Sequence, residues 1–141
     1  MNKRKIEKQI PIAIDLIDKF IKENKFLRKG DKKEGKIFEE IPKEYKGYIS
    51  NFGASIIQSG LLSTVAFFQA DDSSSKSDKK ALTELILDII YKAKGLENDS
   101  ETLLKYILEN NNKQTEEEVI NAAIAIKLGM RVFKFTENSE S

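Results

Sequence analysis

The sequence contains no cysteine and no histidine. Without cysteine there are no disulfides and no thiolate chemistry. Without histidine the usual general base and the commonest metal ligand are both missing. An enzyme made from these residues would rest on isolated carboxylates, lysines or tyrosines, and nothing in the sequence clusters them. Gly-rich phosphate loops and nucleophile motifs are absent as well. The longest apolar run falls far short of a membrane span, and Pro11 and Asp15 interrupt what would be the uncharged core of a signal peptide. The expectation is a cytoplasmic, non-catalytic protein with no metal, no cofactor, no small-molecule substrate and no membrane partner.

What is present suits a folded domain. The 141 residues are 40% hydrophobic and 33% charged, enough for one domain, 1–141, with a real core. The net charge is only +1, yet it is unevenly spread. Residues 1–36 carry twelve Lys/Arg against six Asp/Glu, a net of +6, and the remainder carries a net of −5. Such asymmetry suits a polyanion on one side and a protein on another, and it also arises by chance on Lys-rich surfaces.

Apolar periodicity predicts six helices and no strand, an all-α bundle. The first helix covers about 6–27, with Ile6, Ile10, Ile14, Ile17 and Ile21 on one side and either a kink or a start at Pro11. Residues 28–42 form a charged connector, expected to be mobile, and Pro42 stands where a first-turn proline opens the second helix. In the second helix Tyr45, Tyr48, Ile49, Phe52 and Ile56 share a face, and Gly60 ends it with a residue suited to a left-handed backbone. The third helix, from Leu61, is apolar nearly all round, a pattern that predicts burial on every side. A polar loop, 71–77, is also expected to be mobile. The fourth helix presents Leu82, Leu85, Ile86, Ile89, Ile90 and Ala93 and closes at Gly95. Ser100 caps a fifth helix with Leu103, Leu104, Ile107 and Leu108. Thr115 and Glu118 have capping-box spacing at the start of the sixth, whose core positions are Val119, Ala122, Ala123, Ile126, Met130 and Phe133. Only 132–135 has any strand character.

An apolar helix ending in an Ile-Gln-x-Gly-Leu joint, followed by a short helix with Ala-Phe near its end, resembles the small helical subunit of the type III-B CRISPR effector, the Cmr complex. The matching residues are Ile57, Gln58, Gly60, Leu61, Ala66 and Phe67. The long N-terminal helix and the mixed apolar and basic final helix fit the same family. Family final helices often carry Trp and more Arg, whereas this chain has no Trp and only Arg131 there. The resemblance implies a non-catalytic building block whose partners are other effector subunits, further copies of itself, and guide and target RNA.

The basic residues can be weighed against that implication. Lys127, Arg131 and Lys134 stand at i, i+4 and i+7, which on one helix makes a short basic ridge. Such cations hold phosphate, or they simply complement the dipole of a helix end. Lys43 and Lys46 precede the joint and can extend a patch. With the resemblance, Lys43, Lys46, Lys127, Arg131 and Lys134 become the candidate RNA-binding residues. Lys3, Arg4, Lys5 and Lys8 are denser but sit at a chain end, where fraying is equally consistent. Lys29, Lys32, Lys33 and Lys36, interleaved with acids, read as solvation. Tyr45, Tyr48, Phe67 and Phe68 suit core packing better than base stacking. Two rivals remain: a DNA-binding regulator, opposed by the apolar third helix, and a protein-only adaptor, favoured by near-neutral charge.

Overall fold

The computed structural model describes residues 2–26, 40–70, 79–98 and 101–136. The charged connector (but for its last residues), the 71–77 loop and Ser100 therefore lie outside the described residues. Among the described residues are six α-helices: α1 (Lys3–Lys22), α2 (Glu44–Ser59), α3 (Leu61–Gln69), α4 (Lys80–Ala93), α5 (Leu103–Glu109) and α6 (Lys113–Gly129). A single 3-10 turn, Met130–Val132, follows α6. The architecture is all-α, with α1, α4 and α6 packed on one another, α2 laid against α6 and α3, and α5 against α3 and α4.

Several ends differ from expectation, each for a local reason. α1 begins at Lys3 because the Asn2 side chain accepts the Lys5 N–H at 3.2 Å, so the N-terminal lysines are helical. It ends at Lys22, five residues early, because Asn24 adopts φ 57° and lets the Lys25 N–H reach the Phe20 carbonyl at 2.9 Å. The chain then turns back, and Phe26 packs between Phe20 and Tyr45. α1 runs through Pro11, which stands on the exposed side of the helix and offers no N–H to the preceding turn. Pro42 is buried and precedes α2 by two residues instead of opening it. Thr102 caps α5 through the Lys105 N–H. Asn112 caps α6 in place of Thr115, accepting both the Thr115 N–H at 2.9 Å and its hydroxyl at 3.2 Å.

The apolar stripes meet in one core. Ile17, Phe20, Tyr45, Phe52, Leu82, Leu85, Ile86, Ile89, Val119 and Ile126 are all at most 1% exposed. Ile10 and Ile14 are half-buried, as is Phe133, while Ala93 and Leu108 face solvent although the periodicity placed them inside. Gly129 marks the tightest approach: a Cβ there would stand 3.3 Å from the Ala13 Cβ. Its φ of −64° is ordinary, so close packing of α6 on α1 explains the glycine, not backbone freedom.

Candidate nucleic-acid interface

The sixth helix stops at Gly129, and this changes the geometry of its basic residues. Lys127 and Arg131 still lie one turn apart, because Met130 keeps helical angles. Lys134 does not continue their ridge. Past the 3-10 turn Phe133 is extended, and the chain then runs beside Ile41, to which Phe135 forms a parallel bridge. The Ile41 N–H donates to the Lys134 carbonyl and the Thr136 N–H to the Ile41 carbonyl, both at 3.0 Å. The weak strand character of 132–135 is thus realised as one bridge and nothing longer.

That bridge gathers three of the five candidate residues. The Lys43 N–H donates to Thr136 Oγ1 at 3.0 Å. Lys46 Nζ stands 6.0 Å from the Phe135 ring centroid, the outer limit of a cation–π contact. Lys134 Nζ lies 3.8 Å from Glu40 Oε2, with both side chains well solvated, so the pair is weak and easily exchanged. All five candidates are exposed. Arg131 is three residues upstream of Lys134, and Lys127 a turn before that, on the last stretch of the helix on which α2 packs. The arrangement can offer several cations to one run of phosphates, but no acid–base pair or nucleophile stands among them.

The α2–α3 joint departs further from expectation. Gly60 has φ 91° and ψ 162°, a positive φ as foreseen but with an extended ψ in place of the helical left-handed one. It ends α2, with its N–H on the Ile56 carbonyl at 2.9 Å, and begins α3. α3 is not surrounded. It buries Leu61, Thr64, Val65 and Phe68 but leaves Leu62 and Phe67 exposed, the latter by 56%. Ile57, the last large apolar residue of α2, is 86% exposed. Of the six motif residues, Ile57, Gln58, Gly60, Ala66 and Phe67 face solvent and only Leu61 is core. Tyr45 and Phe68 are packed as predicted, and Phe67 is not. Lys79, itself nearly buried, sits 3.9 Å from the Phe67 ring centroid. α3 itself carries no basic residue and exposes Leu62 and Phe67, so it remains unlike a DNA-reading helix, though burial is not the reason.

Two concavities lie elsewhere. A polar groove of about 520 Å³ holds Asp88, whose carboxylate accepts from Asn98 Nδ2 at 3.2 Å. A second cleft, of about 640 Å³, lies between α1, α4 and α6 and is lined by Lys5, Lys8, Lys94 and Lys113 among others. Here Lys94 donates to the Tyr106 hydroxyl at 2.8 Å and pairs with Glu118 at 3.0 Å, while Tyr106 donates to Glu118 at 2.8 Å. The Tyr106 contact, and after it Glu118, holds the Lys94 ammonium above its ordinary value. Sequence reasoning missed this triangle, because it read Glu118 as half of a capping box. Among the described residues no three acidic side chains cluster as a metal ion would require. No helix among them is long and apolar enough to cross a membrane.

Comparison with curated proteins and with solved structures finds no match. The family described as CRISPR-associated protein (Cas_Cmr5) does match, over residues 24–127, from just after α1 through nearly all of α6. With most of its length matched, the six-helix chain belongs to the Cas_Cmr5 family and is a small CRISPR-associated subunit of the Cmr, type III-B, kind.

Proposed function

We propose that this subunit is a non-catalytic, cytoplasmic building block that stacks with further copies along the guide-RNA backbone of the Cmr effector. In this reading Lys43, Lys46, Lys127, Arg131 and Lys134 hold phosphates of the target RNA, and guide–target pairing supplies the specificity. The observation that carries it is the gathering of Lys43, Lys46 and Lys134 around the Ile41–Phe135 bridge, residues far apart in sequence brought to one corner. The exposed apolar joint around Ile57 and Phe67 supports the second half of the reading. Apolar surface left in water is unfavourable for a monomer, and a neighbouring subunit would cover it.

The test is recovery of the tagged protein from its own host, with sequencing of the RNA that accompanies it. Short repeat-tagged guide RNAs and several larger proteins are expected. Substituting Ile57→Asp together with Phe67→Asp should abolish that recovery and leave the helical circular dichroism intact. Recovery of the unaltered protein alone, or with genomic DNA, would sink the proposal.

A further inference from the structure

Residues 47–70 carry no charged side chain, in a chain whose residues are 33% charged. They make up most of α2 and all of α3, so the outer sides of both helices and the joint between them are uncharged over that stretch. At the joint the surface is also apolar: Ile57 is 86% exposed, Phe67 56% and Leu62 43%. Lys79 packs on the Phe67 ring and is itself only 8% exposed, so it offers a partner little charge. The other large apolar residues exposed among the described residues are Leu96, Leu108 and Val132. Each has an exposed charged neighbour in sequence, Glu97, Glu109 and Arg131 respectively. Docking the joint on any of these would strip water from a charge with no opposite charge on the joint to replace it. Among the described surfaces only the joint matches the joint.

Shape points the same way. Ile57 stands out from the last turn of α2, and three residues on, Gly60 leaves open space, since a Cβ there would meet nothing within 4 Å. A face that holds a projecting side chain beside an opening can fit its own copy across a two-fold axis. We propose that two copies of the free subunit pair through this joint, each Ile57 lying over the opening at the other copy's glycine. The proposal rests on the reading that a neighbouring subunit covers the joint, and it names the neighbour that does so before assembly. A contact between identical faces is complete at two copies. The two chains of such a pair run in opposite senses, whereas an RNA strand has one direction, so the pair parts when copies stack along a guide. Pairing therefore competes with assembly.

The test uses the purified full chain without RNA. Sedimentation velocity over a concentration series should show monomer and dimer in exchange and nothing larger, and larger species would mean a head-to-tail stack and overturn the pairing. Ile57→Asp and Leu62→Asp, both at exposed positions, should each weaken the dimer about tenfold or more and leave the helical circular dichroism intact. A mixture of Ile57→Asp with the unaltered chain should form weakened pairs too, because both copies use the one face. Mixed pairs of undiminished affinity would show contact through two different faces and overturn the proposal. The chain has no cysteine, so Ile57→Cys carries a single spin label. A short distance between the two labels of a dimer is expected, and labels at opposite ends of the dimer would overturn it. A chain that stays monomeric at every concentration also overturns it. If Ile57→Asp with Phe67→Asp then still blocks recovery of the effector from the host, the joint belongs to a different subunit and the proposed function stands. If recovery is normal, the joint's part in that function fails as well.

Discussion

Asp88 is a half-buried carboxylate on α4, held by Asn98 and facing Lys25 and Lys19. Burial is the larger influence and raises its pKa, and the hydrogen bond and the lysines only partly offset it. A raised folded pKa means that the stability this group contributes is complete below its ordinary value of 3.8 and is lost as pH rises through the folded value. At neutral pH the charged form therefore destabilises the fold. Asp88→Asn keeps an oxygen for Asn98 and removes the charge. Thermal melts should show a higher Tm than the parent at pH 7, with the gain disappearing as pH falls below about 3.8. A lower Tm at pH 7 would mean that the lysine contacts outweigh the burial. Single residues were unevenly legible at this scale. Gly95 is the residue foreseen: at φ 73° it lets the Leu96 N–H reach the Tyr91 carbonyl at 2.9 Å. Asn24 and Asn112 do comparable work at other helix ends and were overlooked, because asparagine is as common in loops as in caps.

The existence of all six helices was readable from periodicity, and α2 and α4 follow their apolar stripes closely. The failures have a common cause in how periodicity works. It ranks positions by hydrophobicity and cannot know whether a neighbour exists to cover them. α3 shows this best, since Leu62 and Phe67 are as apolar as a buried face and yet stay exposed. The spacing of Lys127, Arg131 and Lys134 shows the converse, for it assumes a helix that ends at Gly129. The α2–α3 joint offers the cleanest check at this scale. A methyl group on Gly60 would meet nothing within 4 Å, so any effect of substitution comes from the backbone alone. With φ 91° and ψ 162°, a region almost confined to glycine, Gly60→Ala should destabilise the fold by about 1–3 kcal/mol in chemical denaturation. A neutral result would show that the two helices can be joined at another angle without loss.

For the molecule as a whole, the charge asymmetry points to the N-terminal quarter, and part of that charge lies on the connector outside the described residues. The structure redistributes the remainder. Lys5 and Lys8 line a cleft shared with Lys113, whereas Lys43, Lys46 and Lys134 meet at a corner that only a tertiary contact creates. No local pattern reports such a meeting, which is why the fold was largely legible and the grouping of its cations was not. If the corner engages single-stranded RNA through three phosphates, log affinity should fall with log salt by about 0.7 per contact. Lys43→Ala, Lys46→Ala and Lys134→Ala together should then reduce the slope by roughly 2 in fluorescence anisotropy titrations, with unchanged thermal stability. An unchanged slope would assign the RNA to another surface.

The bridge between Ile41 and Phe135 also sets an order of events during synthesis. Lys43 and Thr136, which meet beside it, are separated by 93 positions, with α2 to α6 between them. A nascent chain emerges N-terminus first, and its early elements can pack before the late ones exist. Lys43 and Lys46 thus wait on the surface of a growing bundle for the segment that brings Lys134 beside them. A nascent chain therefore forms α2 to α5 well before it has its combined charge there, and α6 ends only just ahead of Lys134. Any affinity for RNA that depends on that corner appears only once that later segment has emerged and docked beside Ile41.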